Sequence, residues 1–340
     1  MVRQPDFNNI VQVLRRGRPQ RDTLFEFFLN EPLYEKLAAP QGPFSDKWTF
    51  GLCCPMVINA FKNTGYDYAV VLGSEFTFQL QHIESKETVS LNEGSAIRDR
   101  KSFDAYIWPE PEKFDYSRLT AASKWLPNGM KLIVMGPRGV LENVLVLTGY
   151  ETLCMLMIDD PDLCKAIFDG VGKRLLKYYE ICASFDTVGA LISNDDWGFK
   201  TQTMLSPDDM RNYVFGWHKK IVKTIHAAGK PAILHSCGNL DLVMDDIIDE
   251  MKYDAKHSFE DTILPVEEAY ERWGNRIAIL GGIDLDFICR SNPDQIRSRC
   301  LSLLERTRTK GGYALGTGNS IPEYVPDENF FAMIHCVTKD

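Results

Sequence analysis

No window of about eighteen uninterrupted apolar residues occurs in this chain, so no transmembrane helix is expected. Basic residues form no dense run beyond Arg15-Arg16-Gly17-Arg18, and 38 Lys and Arg against 47 Asp and Glu leave a formal net charge of −9. Nucleic acid and anionic membrane are therefore poor partners on electrostatic grounds. Residues 1–6 lack the charged-then-apolar pattern of a signal peptide. Low-complexity tracts and linkers rich in Gly, Ser or Pro are missing too, so the 340 residues read as one domain. Nine cysteines, an odd number, are scattered, and Cys164 and Cys300 fall inside apolar helical patterns. That favours reduced thiols and a cytoplasmic setting over a disulfide framework. No Gly-x-Gly-x-x-Gly turn follows any early strand, which weakens an open dinucleotide-binding sheet.

What is present is a regular alternation. Apolar content of 44% and charged content of 25% are those of an ordinary globular protein. Short apolar segments at Gly189–Ser193, Ala232–His235, Tyr253–His257, Ile277–Leu280 and Tyr313–Leu315 read as strands. Thr23–Phe28, Tyr68–Leu72 and Leu132–Met135 add three more in the first half. Between them lie amphipathic helices with readable starts. Ser206-Pro207-Asp208-Asp209 supplies an N-cap, a first-turn proline and acids at the positive end of the dipole. That helix places Met210, Val214, Trp217, Ile221 and Ile225 on one face and stops at Gly229. His218 and His226, beside Lys219, Lys220 and Lys223, read as its solvated face. Asp160-Pro161-Asp162, Asn292-Pro293-Asp294 and Pro326-Asp327-Glu328 open further helices. Strands alternating with helices over this length predict a (β/α)₈ TIM barrel. Residues 1–21 read as an added N-terminal helix. Residues 78–131 form a long insertion after the second strand, a candidate lid or docking surface.

In such a barrel the active-site groups come from the C-terminal ends of several strands. Here nearly every predicted strand ends in a polar group: Glu26, Glu75, Arg138, Asp195-Asp196, His235 with Cys237, His257, Asp284, and Thr317 with Asn319. His235 and Cys237, two residues apart, share one face if the strand continues through them, and imidazole plus thiolate make half of a zinc site. Each residue has a plainer reading. A buried His and Cys serve packing, Asp195 and Asp196 can cap a turn, and Glu75 and Asp284 can bind loop backbone. Phe25, Phe27, Phe76, Trp197 and Phe199 near strand ends are candidates for an apolar pocket or for ordinary core.

His235-Ser236-Cys237-Gly238-Asn239, Gly281-Gly282-Ile283-Asp284, Gly316–Pro322 and Val325–Asn329 together resemble the uroporphyrinogen decarboxylase superfamily, most closely its corrinoid-dependent methyltransferase branch. The resemblance covers roughly residues 55–338. It implies a (β/α)₈ barrel, a homodimer, and zinc held by a His-x-Cys pair and a further Cys after the last strand. His235 and Cys237 match the pair. Thr317 stands at the third position, so a carboxylate must complete the shell, with Asp196, Glu75 and Asp284 as candidates. The superfamily's decarboxylases bind their polycarboxylate substrate through an arginine-rich Met-Arg-Gln-Ala-Gly-Arg-Tyr segment. Here Leu24–Asn30 holds no arginine, which removes the anion-binding groups such a substrate needs.

The expected function is methyl transfer between a small methyl donor, a methoxylated aromatic by preference, and the cobalt of a separate corrinoid (cobalamin) protein. Zinc acts as Lewis acid. Asp195, Asp196 or Glu75 handles the proton. Glu26, Phe27, Arg138, Trp197, Phe199, Thr317 and Asn319 contact the substrate. The first alternative is metal-free decarboxylation of a smaller acid anchored by Arg138. The second is a non-catalytic accessory barrel.

Overall fold

Strands buried on both faces carry near-continuous apolar runs, and parallel strands need helical crossovers to cover those faces. Both conditions are met in the computed structural model, which describes residues 3–38, 54–79 and 95–338. Seven strands form one sheet in chain order: β1 (Tyr68–Leu72), β2 (Lys131–Met135), β3 (Val188–Asn194), β4 (Ala232–His235), β5 (Ala255–His257), β6 (Ala278–Leu280) and β7 (Tyr313–Ala314). Every neighbouring pair is parallel. Side chains of β4, β5 and β6 are buried throughout. The result is a curled parallel sheet of TIM-barrel-like architecture.

The predicted first strand, Thr23–Phe28, is not a regular strand. It touches the far side of the sheet through a parallel bridge from Leu24 to Leu315 and joins again at Leu29 to Ile321. Phe25 N donates to Leu315 O at 2.7 Å, and Leu315 N to Thr23 O at 2.8 Å. Towards β1 the link runs through a side chain. The Tyr68 hydroxyl accepts from Glu26 N at 2.6 Å and donates to Glu26 O at 3.0 Å. A tyrosine thus stands where a ladder would, which periodicity alone does not reveal.

The helix predicted from Ser206 begins as expected, with Ser206 Oγ accepting from Asp209 N at 3.1 Å. It then widens into a π-helical turn over Met210–Phe215 before the α-helix Gly216–Ala227. Such turns insert an extra residue and re-aim the face that follows. His218, expected in solvent, is fully buried. His226 lies on the outer side, 2.8 Å from an Asp254 carboxylate oxygen.

The N-terminal extension is a helix over Phe7–Leu14, capped by Asp6, which accepts from Asn8 N at 3.0 Å. Of the 78–131 insertion, residues 80–94 lie outside the described residues. The remainder packs on the helix Pro161–Ala183, where Arg174 lies 4.7 Å over the Trp108 ring and pairs with Glu110 at 2.6 Å. Thr187 Oγ1 also donates to Leu119 O at 2.6 Å, so this part forms an outer layer leading back to β2. Among the described residues, no single helix is long and apolar enough to cross a membrane.

Candidate active site and metal centre

Three strand-end groups meet at the C-terminal rim of β3 and β4. One ligand atom each from Asp196, His235 and Cys237 lies within 4.8 Å of the others. β4 ends at His235 and the backbone runs on extended, so His235 Nε2 and Cys237 Sγ face one another at 3.8 Å. Asp196 arrives from β3 and is tied to the same turn, its Oδ1 accepting from Cys237 N at 2.9 Å. Tetrahedral zinc, with bonds of about 2.0–2.3 Å, spaces its ligand atoms roughly 3.3–3.8 Å apart. One nitrogen, one sulfur and one carboxylate oxygen form a borderline-soft donor set that suits zinc, and three protein ligands leave a fourth position open. The residues fit the metal.

His235 is buried, and Asp196 and Cys237 are partly so. Burial drives the His235 imidazole well below its ordinary range, so it is neutral and able to ligate. Burial, reinforced by the Asp196 charge, pushes the Cys237 thiol up to about 12, and burial also raises Asp196. Phe27 stacks on His235, with ring centroids 4.1 Å apart. Asn319 Nδ2 approaches Cys237 Sγ at 3.2 Å. Phe27 and Asn319, both expected near substrate, therefore line this centre.

Gly238 follows Cys237 with a φ of +86°, and a Cβ there would come within 2.2 Å of the Gly198 backbone. The loops after β3 and β4 meet backbone to backbone. Gly238→Ala is expected to part them at a cost of about 1–3 kcal/mol, read as a lower urea midpoint.

The adjacent acids Asp195 and Asp196 diverge. Asp195 is fully buried, and its oxygens accept from Leu141 N and Glu142 N, each at 2.9 Å, at the start of the helix Val140–Thr148. The same carboxylate accepts from His218 Nε2 at 2.9 Å, while His218 Nδ1 accepts from the Tyr253 hydroxyl at 2.7 Å. Its contacts bind helix to sheet, with both carboxylate oxygens engaged by protein donors. Asp195→Ala leaves two amides and a buried histidine without their acceptor. It should cost about 3–5 kcal/mol, measured by chemical unfolding, with the Asp196–His235–Cys237 group spared.

Other expected site residues lie elsewhere. Glu75 is exposed, 3.8 Å from Arg118. Asp284 caps the helix Leu285–Arg290, accepting from Phe287 N at 3.0 Å, and holds Asp261 N at 2.8 Å. Neither joins the metal group. Arg138 is exposed, with a φ of +62°. Trp197 is fully buried against Phe215 and His218, so it is core. Phe199 is partly exposed beside Tyr150. Glu26 is fully buried; its carboxylate accepts from Thr317 Oγ1 at 2.8 Å, Phe27 N at 3.2 Å and Thr317 N at 3.3 Å. Glu26 and Thr317 thus satisfy each other inside the wall.

Two further residues were given no site role by the sequence, His257 appearing there only as a polar strand end and Glu142 not at all. His257, at the end of β5, contacts His235, Nδ1 to Nδ1, at 2.8 Å. Glu142 sits in the first turn after Gly139, with Oε2 accepting from Gly139 N at 3.2 Å. Burial, then the charges of Asp195 and Asp196, pushes its carboxyl up to about 8. Its only sequence signal was an ordinary N-terminal helix acid. A cavity of about 200 Å³ lies beside the rim, lined by Gly238, Asn239, Lys256, Ser258 and Trp273 among others. The cavity adjoins the metal group, its lining residue Ser258 lying with Oγ 3.7 Å from Cys237 Sγ.

A curled parallel sheet with polar groups converging at its C-terminal rim defines a TIM-barrel-like enzyme scaffold. The family model for uroporphyrinogen decarboxylase matches residues 117–339, more than half of the chain, and the protein belongs to that family. Among solved structures, a methyltransferase from Methanosarcina mazei superposes with a TM-score of 0.73 at 15% identity, covering 98% of each chain. A proposed vitamin-B12 independent methionine synthase from Listeria monocytogenes gives a TM-score of 0.50 at 11% identity, covering 94% of this chain and 97% of that one. At these identities the likeness is one of fold. No curated protein sequence matches the chain.

Proposed function

We propose that this protein is a methyltransferase of the uroporphyrinogen decarboxylase family, moving a methyl group between a methoxylated aromatic and the cobalt of a separate corrinoid protein. Asp196, His235 and Cys237 would hold zinc. The observation that carries the reading is this N, S, O triad at the strand ends. A methyltransferase-type function is further supported by the family match and by the methyltransferase that shares the fold. Zinc bound there would supply Lewis acidity toward an ether oxygen. This chain's residues do the rest. Phe27 gives the centre an apolar wall on which an aromatic ring can pack. Glu142, whose carboxyl is pushed up to about 8 by burial and by the charges of Asp195 and Asp196, is the acid assigned in this reading to supply the proton that the departing oxygen takes up. Docking of the corrinoid protein at the barrel mouth and a homodimeric assembly belong to the same reading.

Metal content of protein purified without chelators is the first test. About one zinc per chain, lost in His235→Ala/Cys237→Ala, is expected, together with O-demethylation that requires a reduced corrinoid protein. Absence of metal after zinc is supplied would sink the metal centre. Metal-free decarboxylation of a carboxylic acid would identify the alternative lyase.

A further inference from the structure

His235 must offer its metal a bare ring nitrogen, and a neutral imidazole has only one. Which nitrogen is bare depends on the partner of the other. At His235 that partner is a second histidine, so the answer lies one step further back. His257 Nε2 lies 3.0 Å from the Thr317 carbonyl oxygen. A carbonyl can only accept, so this nitrogen carries the proton. His257 is fully buried, and its Nδ1 is then a lone pair 2.8 Å from His235 Nδ1. Two bare nitrogens would not approach so closely, so the proton between them sits on His235 Nδ1. That leaves His235 Nε2 bare, on the side where Cys237 Sγ lies 3.8 Å away.

We infer that His257 is a positioning residue: held by the Thr317 carbonyl, it fixes His235 as the Nδ1–H tautomer and so makes Nε2 the metal-binding atom. The inference deepens the metal reading above and rests on it. The chain of contacts continues through Thr317 to Glu26, whose carboxylate holds the Thr317 hydroxyl at 2.8 Å. The carbonyl that sets the relay is therefore itself anchored. Ring packing adds a second restraint, with Phe25 edge-on to His257 at 5.0 Å and Phe27 stacked on His235 at 4.1 Å. Histidine ligands ordinarily find this restraint in a carboxylate or carbonyl. Here a second histidine transmits it, and the pair stays uncharged in a buried wall where a carboxylate would need a counter-charge.

The test uses the full-length protein as purified, then stripped of metal, with ring-nitrogen NMR of labelled histidine assigned by the natural protein, His257→Phe and His257→Asn. Phenylalanine keeps a ring but removes the acceptor, whereas asparagine puts Oδ1 close to the Nδ1 position. In the metal-free natural protein His235 should carry its proton on Nδ1. His257→Phe should lose that preference and weaken Zn²⁺ binding about 10- to 100-fold in chelator competition, while His257→Asn should restore the tautomer and most of the affinity. A proton on His235 Nε2 in the natural protein, or an unchanged tautomer in His257→Phe, overturns the inference. Should the natural protein bind no Zn²⁺ yet show the Nδ1–H tautomer, the metal reading fails while the assignment of His257 stands. Should His257→Phe fail to fold, the natural protein and His257→Asn still decide the tautomer.

Discussion

Raising the pH from about 5 to about 8 is expected to destabilise the folded protein, and Glu26→Gln to remove a large part of that loss. Glu26 is fully buried, and its burial outweighs three hydrogen-bond donors to push the carboxyl from 4.5 to about 8. Between those values the folded chain holds a proton that the unfolded chain has released. Stability must then fall with rising pH, because the unfolded state binds fewer protons. The contribution of Glu26 is fully present below about pH 4.5 and is lost by about pH 8, an effect on the order of 4–5 kcal/mol. Glutamine keeps an acceptor for the Thr317 hydroxyl and has no proton to lose. Glu142 is shifted in the same direction, so the variant retains a smaller slope. Urea unfolding at pH 5 and pH 8.5 checks this. An equal loss in both proteins would mean that Glu26 is charged throughout, stabilised by the Thr317 and Phe27 donors.

Cys237→Ala should reduce Zn²⁺ affinity by about 10²- to 10³-fold. Structural zinc binds with roughly 10–16 kcal/mol shared among four ligands, so one ligand carries a few kcal/mol. The fold should persist, because the Cys237 side chain is only partly buried and its hydrogen-bond contacts are with rim groups, at Ser258, Asn319 and His235. In the natural protein the thiol must also give up its proton to bind. Burial and Asp196 hold that proton tightly, to about 12, so apparent affinity should rise with pH by up to about tenfold per unit. Chelator competition at several pH values reads both effects. A Cys237→Ala protein with natural affinity and the same pH slope would exclude the thiolate as a ligand.

Much of this was legible in the residues. Buried parallel strands announce themselves as apolar runs between capped helices, and β2, β3 and β4 fall within a residue or two of their predicted bounds. His235 and Cys237 were legible because period-two alternation links two side chains within one strand, a purely local relation. Asp196 could be named as a candidate ligand but not chosen over Glu75 or Asp284, since all three end strands or follow them. Neighbouring Asp195 and Asp196 show the limit most sharply: identical side chains, one residue apart, face a helix start and the rim.

Sequence alone thus determined the alternation, the faces of the strands and the His-x-Cys pair, because these depend on backbone periodicity. Tertiary structure decided what depends on contact between distant segments. It buried His218 behind a π-helical turn, tied Glu26 to Thr317 across 291 residues, and set His257 against His235. It also left Glu75 and Arg138 exposed. A polar side chain takes its role from the donor or acceptor that reaches it once water is excluded, and only the folded, curled sheet brings those partners within 3 Å.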